Sequence, residues 1–291
     1  MVAIPQQKIA LVTDREHGLT PDDGLLLTTL QEEEFDVSVE QWDSEGTDWK
    51  QFDLCVLRSC WDYHVRIGEF LQWLTRLEGR GVNTMNPIQT VRWNHDKLYL
   101  KELERRGVPI VPTRVVDKPG EACLGEVMDS CGWETVVFKP CISASGYRTH
   151  KVLRSEADVY QSEFNAVTQQ SGALIQPFLK EVQSVGEWSF VFFGRTFSHA
   201  VIKKPGDGEF RTQEAFGGSV VKAIPTDEQF HQAERAVGSV DGDLLYVRVD
   251  MVEVNGKLLL GELELIEPFL FFGSDHDSPM RFARALKDLL W

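Results

Sequence analysis

The chain has 291 residues, 42% hydrophobic and 26% charged, a globular composition that excludes disordered, collagen-like and fibrous architectures. Acidic residues outnumber basic ones 45 to 30, giving a formal charge of −15, so neither nucleic acid nor an anionic membrane is an expected partner. Five cysteines without a metal-type CxxC pair read as buried thiols, and no signal-peptide core or run of ~20 apolar residues stands out, so a cytoplasmic protein is expected.

Residues 9–13 form a short apolar run ending at Asp14, as a buried parallel strand would. Thr20-Pro21-Asp22-Asp23 supplies an N-cap, a proline at the first helical position and acids in the first turn, with Leu25, Leu26 and Leu30 as the apolar face. Residues 35–39 and 54–57 read as strands and 68–77 as a helix. This βαβ rhythm predicts a small parallel sheet whose ligands sit at the carboxyl ends of its strands. After Asn86-Pro87 the pattern changes. A helix is expected over 96–106, stopped by Gly107, then strands over 110–115, 135–138, 173–176, 188–193, 197–202, 244–254 and 258–265. Further helices are expected over 120–130, 156–170, 227–237 and 280–290, and residues 205–218 read as a mobile loop. Strand groups mixed with a few helices predict α+β lobes here.

The chemistry concentrates in two clusters. Period-two geometry puts Glu262 and Glu264 on one face of a strand and Arg248 and Asp250 on one face of the strand before it, joined by a favoured Asn255-Gly256 hairpin turn. Carboxylate oxygens around a cleft suit Mg²⁺. The second cluster is basic: Lys97 near a helix start, and Lys139 ending an apolar strand before the small-residue turn Ser143-Ala144-Ser145-Gly146. Arg58 ends a strand, with Trp61, Asp62 and Tyr63 in the loop after it. Arg58 can hold a substrate carboxylate and Asp62 an ammonium. The bland alternative packs Trp61 and Tyr63 at a lobe interface and pairs Arg58 with Asp62. His199 is a further candidate, although a lone strand histidine is more often simply packed or hydrogen-bonded.

The order of these motifs resembles the ATP-grasp superfamily in its glutathione-synthetase-like form. Asp96-Lys97 with Gly107-Val108-Pro109 resembles the entry to the central lobe, and Lys139-Pro140 the second nucleotide lysine. Ile175-Gln176-Pro177-Phe178-Leu179 resembles the adenine hinge, Gly186-Glu187 the end of a ribose GxE motif, and Phe210-Arg211-Thr212-Gln213 with Gly217-Gly218 an FRxN…GG segment. Within the superfamily, Leu57 to Tyr63, Val91-Arg92-Trp93-Asn94 and Phe192 to Ala200 resemble the O-ureido-serine cyclo-ligases of cycloserine biosynthesis. Four departures stand out: Gln176 where the hinge has glutamate, an extended stretch over 180–184, Gln213 for asparagine, and Glu264 where the metal pair has asparagine.

The resemblance implies an α/β N-terminal lobe (1–92), a central ATP-grasp lobe (93–178) and a C-terminal lobe (179–291), with ATP between the last two. It implies phosphate contacts from Lys97, Lys139, Ser143, Ser145 and Gly146, adenine contacts from Gln176, Phe178 and Leu179, and ribose contacts from Glu187. Asp250, Glu262 and Glu264 would hold Mg²⁺, while Arg211, Arg248 and Lys203 stabilise charge in the reaction. Arg58, Trp61, Asp62, Tyr63 and His199 would line the site for a small amino acid derivative. The implied activity is ATP-dependent activation of a carboxyl group for attack by nitrogen, within one molecule to close a ring. An intermolecular amino acid or peptide ligase, and a non-catalytic nucleotide-binding module, are the alternatives; a homodimer is compatible with either.

Overall fold

The computed structural model describes residues 6–213 and 216–290. β1 (Lys8–Thr13), α1 (Pro21–Glu32), β2 (Asp36–Gln41), β3 (Leu54–Leu57), α2 (Ile67–Gly79) and β4 (Thr84–Met85) follow the expected alternation. The strands run parallel in the order β2-β1-β3-β4. Apart from Lys8, β1 and β3 are buried throughout, which is why they read as unbroken apolar runs. Thr20 Oγ1 accepts the Asp23 N–H at 3.0 Å and so caps α1 as its sequence predicts.

α3 (Ile88–Asn94) and α4 (Tyr99–Arg105) lead into β5 (Arg114–Val116), α5 (Leu124–Cys131), β6 (Thr135–Pro140), β7 (His150–Leu153), α6 (Ala157–Ser171) and β8 (Ala173–Pro177). The four strands form an antiparallel sheet in the order β5-β8-β6-β7. Two expectations change here. The helix predicted over 96–106 begins only at Tyr99, after Asp96 has accepted the Leu98 N–H at 3.0 Å. The strand predicted over 110–115 is mostly irregular because Pro109 and Pro112 lack the N–H a ladder needs. Its backbone crosses instead to Leu260, where Val111 N–H donates to the Leu260 carbonyl and Leu260 N–H to that of Pro109, both at 2.9 Å.

The last part contains α7 (Glu181–Ser184), β9 (Glu187–Phe193), β10 (Thr196–Lys204), β11 (Ser219–Ala223), α8 (Asp227–Gly238), β12 (Tyr246–Val254), β13 (Lys257–Glu264) and α9 (Ser278–Leu290). The sheet is antiparallel in the order β11-β10-β9-β12-β13. The extra stretch over 180–184 is thus a one-turn helix, and β11 is a strand the sequence did not announce. Of the loop expected over 205–218, residues 214 and 215 lie outside the described residues. Period two divides the faces of this sheet. Phe190, Phe192, Val247 and Val249 pack with Ala233 and Val237 of α8, whereas Val191, Phe193 and Tyr246 pack with Phe282 and Leu286 of α9.

α9 also packs on α1, which ties the first sheet to the last. Asn86 tightens that tie. Its side-chain oxygen accepts the Leu245 N–H at 2.7 Å, and its amide donates to the carbonyls of Tyr246 and Leu265, both at 2.8 Å. All five cysteines are free: Cys55, Cys60 and Cys141 are buried, but Cys123 is exposed and Cys131 half-buried, correcting the expectation that all five are interior. Among the described residues no helix is long and apolar enough to cross a membrane.

Candidate active site

The site grows from the charged end of the sheet face that carries Tyr246. Asn255 and Gly256 both have positive φ (52° and 77°), the backbone of a type I′ turn, and this fixes the register of the β12–β13 hairpin. Arg248 then stands opposite Glu264, and Asp250 opposite Glu262; the pairing shifts between Asp250 and Met251, leaving Gly261 as the extra residue. The four side chains converge as the sequence predicts. Arg248 donates to Asp250 at 2.9 Å, pairs with Glu264, and donates to the Phe269 carbonyl at 3.0 Å. Lys203 on β10 reaches Asp250 at 3.1 Å and Glu187 at 2.7 Å. Ser189 also donates to Asp250, which is therefore an anion held by three donors.

Lys97 and Lys139 approach from the neighbouring segments. Lys97 is buried, pairs with Glu262 and donates to the Ser143 carbonyl at 2.7 Å, so it fastens the small-residue loop to the carboxylate hairpin. Lys139 Nζ lies 3.8 Å from the other Glu262 oxygen. Burial alone would raise the Glu262 carboxyl, but Lys97 and Lys139 outweigh it and bring it down to about 2. Glu264 goes the other way, up to about 7. Burial is the largest cause, Asp250 and Glu262 add to it, and Arg248 opposes it. The loop itself turns through Ser145 and Gly146, both at positive φ. A Cβ on Gly146 would meet Arg211 Cδ at 3.4 Å and the Phe216 ring at 3.5 Å, so this loop touches the segment from across the cleft.

Together these groups line a cavity of 520 Å³. Its apolar lining includes Val111, Val137, Phe178, Leu179 and Val252, surface of the kind that a flat ring can pack on. Gln176 lines it too, but its amide donates to Thr113 Oγ1 at 2.9 Å, a partner that fixes the amide. Glu187 lines the same cavity with the Thr212 hydroxyl donating to it at 3.1 Å. Gly186, before it, has φ 110°, and a Cβ there would lie 2.8 Å from the Lys203 carbonyl, so only glycine permits this approach to β10. Arg211 is held by Glu209 at 2.7 Å and stacks 3.5 Å over the Phe216 ring.

Among the described residues, no three acidic, histidine or cysteine side chains close on one point tightly enough to hold a metal by themselves. The donor set nonetheless fits Mg²⁺. Asp250, Glu262 and Glu264 offer hard oxygens on the cavity wall, and Mg²⁺ ordinarily completes its shell with waters and substrate phosphates.

The structure redraws the substrate end. Trp61 and Tyr63 do line the cavity. Arg58, Asp62 and His199 are not among its lining residues. Arg58 is 1% exposed, paired with Asp23 at 2.8 Å and donating to the Pro268 carbonyl at 2.7 Å; it locks the first lobe to the segment after β13. Its partner is Asp23, not Asp62. Asp62 accepts from the Trp42 indole at 2.7 Å and from Arg66 at 2.9 Å. His199 is buried against the Leu270 carbonyl at 2.9 Å. Sequence reasoning missed Glu267, which lines the cavity beside Trp61 and Tyr63 and is pushed well above the usual carboxylate range, first by burial and then by Glu264. It also missed Asn94 as a brace: the side chain accepts the Leu265 N–H at 2.9 Å and donates to the Leu263 carbonyl at 2.8 Å.

Burial brings the His199 imidazole from 6.5 down to about 4, so it is neutral near neutrality. The unfolded chain takes up that proton first as pH falls from 6.5 towards 4, so stability drops across this window, by about 3 kcal/mol at its end. His199→Gln is expected to remove this component. In urea titrations the stability gap between variant and wild type should shift in the variant's favour over the window; a gap constant with pH contradicts the assignment.

A parallel α/β lobe, two antiparallel α+β lobes and a cavity carrying paired lysines, a hinge and a carboxylate hairpin define an ATP-grasp protein, an ATP-dependent ligase by class. The fold matches the crystal structure of D-alanine–D-alanine ligase from Bacillus anthracis complexed with ATP (TM-score 0.69, 16% identity, covering 97% of this chain and 95% of that one). It also matches the ATP-grasp ligase PsnB complexed with its minimal precursor (TM-score 0.66, 17% identity, covering 97% and 99%).

Residues 9–86 match the family model of the N-terminal domain of D-cycloserine synthetase DcsG. The chain is 30% identical to the cycloserine biosynthesis protein DcsG of Streptomyces lavendulae over 97% of this chain and 98% of that protein. The crystal structure of D-cycloserine synthetase DcsG superposes with a TM-score of 0.88 at 28% identity, covering 98% of this chain and 100% of that one. The chain belongs to the DcsG family.

Proposed function

We propose that the chain is an ATP- and Mg²⁺-dependent cyclo-ligase that closes a ring within a small amino acid derivative of the O-ureido-serine type. The observation that carries this reading is the single cavity in which Arg248, Asp250, Glu262 and Glu264 face Lys97 and Lys139. Such a site has the charges to hold a triphosphate and to stabilise a phosphoryl group in transfer. We take 1–92, 93–178 and 179–291 as its lobes and the cytoplasm as its location, for which the five free thiols speak.

In the proposed reaction a substrate carboxylate oxygen attacks the γ-phosphorus as the bond to the ADP oxygen breaks, giving an acyl phosphate. The substrate's own nitrogen then attacks the acyl carbon, phosphate leaves with that carboxyl oxygen, and the nitrogen's proton passes to solvent. Lys97 and Lys139 hold phosphate oxygens, with Ser143, Ser145 and Gly146 covering them. Gln176, Phe178 and Leu179 flank the adenine, and Glu187 takes ribose hydroxyls. Arg248 and Arg211, with Lys203 behind Asp250, stabilise charge on the phosphoryl and acyl oxygens. Mg²⁺ held by Asp250, Glu262 and Glu264 would act as a Lewis acid toward the transferred group. Tethering the nucleophile replaces a bimolecular encounter, worth roughly 7–11 kcal/mol when aligned.

ADP and inorganic phosphate measured together over O-ureido-serine and a panel of small amino acids test this. One phosphate per ADP, dependent on a single amino acid derivative, is expected. A stable phosphoester in place of free phosphate identifies a kinase, and ATP binding without turnover identifies a nucleotide-binding module.

A further inference from the structure

We propose that Glu267, which lines the cavity together with Trp61 and Tyr63, is the anchor for the substrate's primary ammonium group. This rests on the ligase reading above and gives its substrate an orientation. Four other carboxylates of the cavity wall have cationic partners: Glu187 and Asp250 are held by Lys203, Asp250 also by Arg248, Glu262 by Lys97 and Glu264 by Arg248. Glu267 differs. It is 8% exposed and lines the cavity, yet among the described residues its side chain accepts no hydrogen bond and joins no ion pair. Burial favours the neutral form of this carboxyl, and the charges of Lys97 and Arg248 offset that only in part, so an ammonium entering the cavity favours the anion by adding the positive charge it lacks.

Its surroundings select the kind of cation. The Trp61 indole N–H donates to the Glu267 backbone carbonyl at 3.0 Å, which fixes the backbone at that point and holds the indole beside it. Tyr63 is 3% exposed and lines the same cavity, and after burial the charge of Glu267 does most to raise its phenol. Aromatic walls with one carboxylate favour a compact ammonium over a second metal ion, which would demand more oxygen donors. The cation on the same cavity wall is Arg248, whose guanidinium is anchored on the Phe269 carbonyl at 3.0 Å, two residues beyond Glu267. An amino acid derivative therefore lies with its ammonium on Glu267 and its carboxylate towards Arg248 and the phosphates. These are the two charges expected at Asp62 and Arg58, supplied instead by Glu267, after β13, and by Arg248 of β12.

The test compares wild type with Glu267→Gln, Glu267→Asp and Trp61→Leu, using O-ureido-serine and its N-acetyl derivative as probes and ADP formation as readout. Glu267→Gln keeps the shape and loses the charge. Its KM for O-ureido-serine should rise about 10–100-fold, with kcat at saturation within about threefold and the KM for ATP unchanged. The unchanged ATP value also shows that the variant is folded. Glu267→Asp should recover part of the loss, and Trp61→Leu should raise the same KM. Wild type should reject the N-acetyl probe, while Glu267→Gln should distinguish the two probes far less. An unchanged KM for O-ureido-serine, a fall in kcat alone, or a parallel rise in the KM for ATP overturns the anchor. A wild-type enzyme that consumes no ATP with any amino acid in the panel overturns the ligase reading and the anchor with it. Turnover by wild type with no KM change in Glu267→Gln overturns the anchor alone.

Discussion

Glu262→Gln is expected to lower kcat by about 10³-fold or more while the protein stays folded and still binds ATP. Glu262 stands opposite Asp250 across the hairpin and meets both Lys97 and Lys139. Neutralising it removes one of three hard-oxygen donors from the proposed Mg²⁺ site. It also frees two lysines whose charge then meets the triphosphate without a competitor, so nucleotide affinity should hold or rise. Rapid-quench measurement of ADP formation, with calorimetry of a non-hydrolysable ATP analogue, separates the two effects. Turnover equal to wild type would remove Glu262 from the metal site.

Arg58→Ala is expected to cost about 3–5 kcal/mol of stability, the effect of leaving a buried charge without its partner. Asp23 would lose the guanidinium that lies 2.8 Å away, and the Pro268 carbonyl would lose its donor. Asp23→Ala should cost a similar amount, and the double variant less than the sum, because each single change strands the other charge. Urea unfolding measures all three. A loss below about 1 kcal/mol together with a raised KM for the amino acid substrate would return Arg58 to the substrate site.

These two residues mark what the sequence can and cannot announce. The carboxylate hairpin was legible because its information is local. Asn255-Gly256 demands a tight turn, and alternation then fixes which residues face together, so the sequence alone groups Arg248, Asp250, Glu262 and Glu264. The parallel lobe was legible for the same reason, from the buried runs of β1 and β3 and the capped start of α1. Arg58 was not. Its partner lies on a different element 35 residues away, and nothing in the loop after β3 distinguishes a guanidinium that faces a cleft from one that faces Asp23. Glu267 was hidden by parity. Counting by two from Glu262 and Glu264 lands on Ile266, but β13 ends at Glu264, and the chain beyond it no longer obeys strand alternation. The only local signal was a lone carboxylate between Ile266 and Pro268.

Whether the enzyme activates a carboxyl group and closes a ring on it can be read by following oxygen. O-ureido-serine carrying heavy oxygen in its carboxylate is incubated with ATP and Mg²⁺, and the phosphate and the organic product are both weighed by mass spectrometry. One heavy oxygen is expected in phosphate for each ring formed, with each ring built from a single substrate molecule. Phosphate without heavy oxygen, or a product one water lighter than two pooled substrates, would contradict it.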